Sequence, residues 1–403
     1  MHRLKRAVWL GLAVATALLV SLVFIRPRLV RHLCQRGDQD FSAKDWHGVE
    51  RTARIVILVA PHDAEGWILL GDALESLQRY DEQERVCRRA VELAPDSAAA
   101  LSGLGAALYF EGRDEEAIPF YQKAVSLDPS TAQLQTDYAG VLLGLGRNNE
   151  AETRLREAIR LDPQLWMAHD SLALVLFRQG KSGDAETEYR ESVRLGPLEH
   201  KTHLNLSTFL LRQNRLDEAQ KEIQEALRLE PNSSDALQNL GEVHWRQGKL
   251  AEAEQLYRKG YESAKGYAKA ARQLARFLAM GKGQKEYDEG KLSECEESNR
   301  EATRLWPAFA TAYNNLGCVL IANSNRWAEA EALIKKSLDL SSDGEKPGFL
   351  DSLGELLSKQ PKRKSEAVAA YQEALAGYSK AGNSNQVSRL SKILQDLSAP
   401  NAD

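Results

Sequence analysis

Six prolines share one spacing: Pro61, Pro95, Pro129, Pro163, Pro197 and Pro231 follow one another at intervals of 34 residues. A fixed period of that length marks a chain made by stacking one supersecondary unit, whose apolar face is buried only by its neighbours. Function must then be sought on the faces of the stack rather than in one central cleft.

The unit can be read from Ala98 to Thr131. Leu101, Leu104, Gly105 and Leu108 follow the i, i+3, i+4, i+7 pattern of one apolar helix face. Glu111-Gly112-Arg113 interrupts it, the glycine allowing a turn without steric cost. A second helical run carries Ala117, Tyr121 and Ala124 and stops at Leu127-Asp128-Pro129. The same order recurs as Trp67, Leu70, Gly71 and Leu74, then as His169, Leu172, Ala173 and Leu176, then as Leu237, Leu240, Gly241 and His244. Ala117, Ala151, Ala185, Ala219 and Ala253 keep the period, as do Ala124, Ala158, Ser192 and Ala226; small side chains there let two helices approach closely.

This motif resembles the tetratricopeptide repeat family. The resemblance implies an all-α fold, a right-handed superhelical solenoid of antiparallel helix pairs. Six regular units are expected over 64–265, the last ending on Lys265 in place of proline. Before them, 26–63 reads as a linker and a degenerate first repeat with Leu33, Gly37 and Pro61 in place and Val49 where alanine is expected. Degenerate units follow over 266–380, marked by Gly290, Cys295, Ala302 and Pro307, then Tyr313, Leu316 and Gly317, then Gly354, Ala367 and Tyr371. A polar helix near 385–398, within a terminal segment 381–403, would cap the array.

Residues 1–6 form a short basic tail, and Ala7 to Ile25 is an uncharged apolar stretch. Nineteen helical residues would span roughly 28 Å, near the thickness of a bilayer core, so a transmembrane helix is expected ahead of the repeats, with the lipid bilayer as its partner. The competing reading is a secretory signal cleaved after Ala15-Thr16-Ala17, which would leave Leu18 to Ile25 as an apolar terminus. The basic tail favours an extracytoplasmic repeat domain; Arg26, Arg28 and Arg31 on the far side argue for the reverse. The expected localisation is therefore a single-pass membrane protein, with a slight preference for the repeat domain on the extracytoplasmic side.

Residues 1–36 hold seven Lys/Arg and no acid, which leaves a net charge of −11 for the remainder. Such a surface disfavours sequence-independent binding of nucleic acid. Cys34, Cys87, Cys295 and Cys318 form no CxxC pair. Cys87 takes the aromatic position of its unit and Cys295 an alanine position, so both read as small core residues. His200 and His203 lie three apart, but no further ligand completes a metal set. Gly281-Lys282-Gly283-Gln284-Lys285 lacks the GK[ST] ending of a phosphate loop and reads as a link between helices. No catalytic constellation, metal site or cofactor is expected.

A helical wheel separates the packing positions 4, 7, 8 and 11 of each first helix from positions 2, 5, 6, 9, 12 and 13. In family members the second set lines a concave groove that holds extended peptides or partner helices. Here it offers an acidic entrance at Glu65, Asp72 and Glu75, then Tyr109 and Phe110. Next comes a ladder of apolar and cationic pairs, Phe177-Arg178, Leu211-Arg212 and Trp245-Arg246, which would seat apolar side chains and meet carboxylates or carbonyls. Arginine stems that simply cover neighbouring surface are the alternative. Asn205, Asn239 and Asn315 share position 6, where an amide can bind an extended backbone. The two-carboxylate clamp of chaperone-tail binders is not reproduced, because position 5 reads Ile68, Ser102, Thr136, Asp170, Leu204 and Gln238. The expected function is a membrane-anchored, non-enzymatic scaffold that binds proteins in assembly of an envelope or secretion complex. The alternatives are homotypic assembly and an activity hidden in 266–403.

Overall fold

The computed structural model describes residues 29–33, 35, 36, 40, 43, 45–264, 268–321 and 326–398. It divides into two compact units, 1–197 and 198–403. Among the described residues every regular element is helical.

In the first unit residues 29–33, 35 and 36 are helical and bring Val30 and Leu33 against Val56 and Val59 of α1 (Trp46–Val59), and four helix pairs follow. These are α2 (Ala64–Ser76) with α3 (Tyr80–Leu93), α4 (Ala98–Phe110) with α5 (Asp114–Leu127), α6 (Ala132–Gly144) with α7 (Asn148–Leu161), and α8 (Trp166–Arg178) with α9 (Ser182–Leu195). The second unit opens with α10 (His200–Arg212), α11 (Leu216–Leu229), α12 (Ser234–Arg246) and α13 (Leu250–Ser263). A longer first helix follows, made of α14 (Ala268–Arg276), a π-helical turn (Phe277–Lys282) and α15 (Gly283–Asp288), and it pairs with α16 (Leu292–Leu305). Then come α17 (Ala310–Ile321), α18 (Trp327–Leu340), α19 (Lys346–Ser358), α20 (Lys364–Lys380) and α21 (Ser384–Ser398).

Packing within a pair follows from complementary size. A Cβ on Gly105 would lie 2.7 Å from the Tyr121 ring, and one on Gly71 would lie 2.7 Å from Cys87 Sγ. Gly241 stands in the same way against Tyr257, and Gly354 against Tyr371. Ala117, Ala151, Ala185, Ala219 and Ala253 are all fully buried, as the close approach of two helices requires. Between the helices the chain passes through a left-handed residue, Gly112, Gly146, Gly180 and Gly248 in four units and Gln78 and Asn214 (φ 58° each) in two others. The following N–H closes the first helix, Arg113 N donating to Leu108 O at 2.9 Å.

Arginine then links one repeat to the next. Arg113 makes a bidentate pair with Glu116, at 2.9 and 2.6 Å, and reaches back with Nη1 to Glu84 Oε1 at 2.8 Å. Arg79 does the same with Glu82 and Glu50, and Arg326 with Glu329 and Glu296. Arg363 repeats the device on Glu366 and Glu331, and its hydrogen bond, against the opposing effect of burial, holds the Glu331 carboxyl down at about 2. In both units consecutive first helices adjoin one another, whereas these long ion pairs span the gap between consecutive second helices. The first helices therefore occupy the inner, more crowded side of each unit.

Two expectations are corrected. The apolar stretch 7–25 lies outside the described residues, and among the described residues no helix is long and apolar enough to cross a membrane. The single-pass membrane localisation, the anchor and its bilayer contact therefore have no support. The segment 281–285 is helical rather than a link, because the π turn lets the first helix run on to Asp288. In consequence the turn glycines Gly248 and Gly290 are 42 residues apart instead of 34. At the C-terminus α21 lays Leu390, Ile393, Leu394 and Leu397 on Tyr371 and Ala374, covering the apolar face of the last pair.

Candidate functional site

The inner face of the first unit is built from α2, α4, α6 and α8. Its first carboxylates are Asp72, which makes no hydrogen bond or ion pair among the described residues, and Glu75, which accepts from Gln83 Nε2 at 2.9 Å. Asp137 accepts from Gln133 Nε2 at 2.7 Å. Burial, joined by the charge of Glu75, pushes the Asp72 carboxyl up to about 7. Asp137 is exposed to solvent, so the crowding of the surrounding helices and the charge of Glu75 raise its carboxyl less firmly than that of Asp72, and the Gln133 hydrogen bond opposes them. These acids thus share one field, which also helps burial to raise the Tyr121 phenol. The floor nearby is bare: a Cβ on Gly140 would meet nothing within 4 Å.

Aromatic groups flank the acids. Phe110 is 44% exposed and stacks on Tyr80 with ring centroids 4.6 Å apart, while Tyr109 is half-buried and tilts against it at 5.4 Å. Phe177 is also half-buried. Arg178 is exposed, yet its Nη1 donates to Leu143 O at 2.8 Å and so caps the end of α6.

In the second unit packing covers part of the expected ladder, with Leu211 buried, Trp245 half-buried and Arg246 exposed. Leu211 is buried, because α12 lies beside it and Arg246 Nη1 donates to Leu211 O at 2.9 Å. Arg246 also pairs with Glu242 at 2.8 Å. Trp245 meets Phe277 edge-on at 5.7 Å and carries the Arg276 guanidinium over its ring at 5.2 Å. Asn239 Nδ2 is spent on Thr208 Oγ1 at 2.9 Å, so its amide ties two repeats together. Asn205 lines a shallow recess of about 380 Å³ with His200, Leu204, Glu230 and Asp235. Arg212 remains exposed at the end of α10.

The histidines have separate partners. His200 Nε2 lies 2.8 Å from Glu230 and His203 Nδ1 2.7 Å from Glu222. Among the described residues no group of three or more His, Cys, Asp and Glu side chains is placed to hold a metal. Cys87 is buried, and burial pushes its thiol up, helped by Asp72 and Glu75. Sequence reasoning found the acids of α2 and missed Asp137, although it occupies position 6 of its unit, as Asn205 and Asn239 do in theirs.

Helix pairs with an inner layer of first helices define a repeat solenoid of the tetratricopeptide class. A family model described as the cilia and flagella-associated protein 70 C-terminal domain matches residues 39–276, and a tetratricopeptide repeat model matches 309–341. The chain belongs to the tetratricopeptide repeat family represented by the first of these. Among solved structures it is similar to the APC/C hetero-tetramer Cut9-Hcn1, with 16% identity, a TM-score of 0.54 and coverage of 77% of this chain and 59% of that one. The chain thus spans about three-fifths of that relative. It is also similar to pilF of Pseudomonas aeruginosa (21% identity, 54% of this chain and 96% of that one, TM-score 0.44). A tetratricopeptide repeat protein of Parabacteroides merdae shares 12% identity over 61% of this chain and 97% of its own, with a TM-score of 0.49. No curated protein matches the chain. At 16% identity the Cut9-Hcn1 structure speaks for the fold alone.

Proposed function

We propose that the chain is a scaffold that holds a segment of a partner protein along the inner face of its first helices and so brings that partner into an assembly. The observation that carries this reading is the inner face of the first unit. There Asp72 makes no ion pair among the described residues, and exposed Phe110 and the half-buried Tyr109 and Phe177 follow on later first helices of the same series, on a frame locked by inter-repeat arginines. A protein segment with apolar and cationic side chains would pair with both kinds of group.

The test is capture from a native extract with the wild-type chain and with Phe110→Ala/Phe177→Ala, both shown to be folded by circular dichroism. A partner held by the wild type and lost by the variant is the expected result. A partner held equally by both would move the interaction off this face.

A further inference from the structure

The second unit contains a pocket where one filler side chain is smaller than in its neighbours. Tyr121, Tyr189 and Tyr257 fill the space between the two helices of their pairs at one position of the second helix, four residues after the buried alanines 117, 185 and 253. In α16 the small residue is Cys295, and the filler position is Asn299. Asn299 faces Gly283 as Tyr121 faces Gly105: a Cβ on Gly283 would lie 2.9 Å from Asn299 Nδ2. The smaller side chain leaves a cavity of about 160 Å³, lined by Gly283, Tyr287, Cys295, Asn299, Asn315 and Cys318. Asn315, Cys318 and Tyr287 lie on first helices, so the pocket opens from the inner face.

Its chemistry is specific. Asn299 is fully buried; its Nδ2 donates to Cys295 O at 2.9 Å, which fixes the amide orientation, and its Oδ1 has no partner. A buried acceptor left unpaired keeps its desolvation penalty until a donor reaches it, so the site is poised to accept from a donor. The field is anionic. Burial first, then Glu286 and Asp288, push the Cys295 thiol up to about 11, and burial, Glu355 and Asp351 raise that of Cys318. Lys359 and Arg389 pair with Glu355 and Asp351, and Lys282 approaches Glu286, which leaves Asp288 without an ion pair among the described residues. Thiols this weakly acidic are poor metal ligands and nucleophiles. The volume is below the roughly 300 Å³ at which pockets for whole small molecules begin, and it suits one side chain.

We propose that this pocket receives a single basic side chain, lysine or arginine, from a protein segment lying along the inner face of the second unit. The N–H groups would donate to Asn299 Oδ1, the positive charge would answer the surrounding carboxylates, and the methylene stem would lie against the Tyr287 ring and the two sulfurs. The proposal rests on the scaffold reading above and names the chemistry of the partner.

The experiment uses the full chain and a positional-scanning library of N-acetylated decapeptide amides. Wild type should enrich lysine or arginine over glutamine and methionine at one position by about tenfold. Asn299→Tyr, which restores the filler of the regular repeats and should fold, should abolish that preference and leave the others unchanged. Asn299→Asp should keep or strengthen it. Peptides retained without a basic preference, or a preference that survives Asn299→Tyr, would overturn the pocket assignment alone. Retention of no peptide would overturn both this assignment and the scaffold reading.

Discussion

Replacing Asp72 by asparagine should stabilise the first unit, and more so at alkaline pH. In the folded chain burial and Glu75 raise the Asp72 carboxyl from an ordinary 3.8 to about 7. Below about pH 4 the group is protonated in both folded and unfolded chains and contributes nothing. As pH rises towards 7 the unfolded chain ionises while the folded one resists, so stability falls; above about pH 7 the loss is constant. A shift of about three units corresponds to at most about 4 kcal/mol. The side chain is partly exposed and shares its field with Glu75, so about 2 kcal/mol is the expected size. Asparagine copies the neutral form, and the gain of Asp72→Asn should therefore grow between pH 4 and 7 and then level off. Hydrogen exchange of α2 and α4 at pH 5 and pH 8, corrected for intrinsic rates, measures it locally, which suits a repeat array that need not unfold as one unit. An equal gain at both pH values, or a carboxyl carbon titration of Asp72 centred near 4, would refute the reasoning.

Gly105→Ala should destabilise its unit by about 1–3 kcal/mol because its Cβ would lie 2.7 Å from the Tyr121 ring. Gly140→Ala, with nothing within 4 Å, should instead gain up to about 1 kcal/mol; denaturant unfolding compares the two. Gln78→Gly should gain roughly 1 kcal/mol by relieving the left-handed φ of 58°, read from the exchange of α2 and α3. Glu188, 2.7 Å away, favours the protonated form of His169 against the opposing effect of burial, so its value is raised from 6.5. The stabilisation is full below pH 6.5 and is lost as pH rises through the folded value. Thermal unfolding between pH 5.5 and 8.5 should show wild type losing ground to His169→Leu.

The repeat architecture was legible because size complementarity is written at fixed offsets: Gly105 with Tyr121, Gly241 with Tyr257, alanine at each close approach. The inner face was legible only in part. A helical wheel says which way a residue leaves its own helix, and nothing about how far the next repeat covers it. Leu211 and Trp245 are claimed by α12 and the π-helical turn, Arg178 and Arg246 by helix-end carbonyls, and Asn239 by Thr208. The pocket at Asn299 was hidden by the longer spacing between Gly248 and Gly290, which disguises Gly283 as the glycine that faces it. The expected anchor rested on hydropathy alone, in a stretch outside the described residues.

The measurement that bears most directly on the scaffold reading is site-specific photo-crosslinking in the native cell. A benzophenone amino acid is placed at Phe110 on the inner face and, in a separate chain, at Glu115, which is exposed on α5. The account predicts a discrete protein adduct from position 110 that is absent from position 115. Adducts from 115 alone would contradict it and place recognition on the second helices.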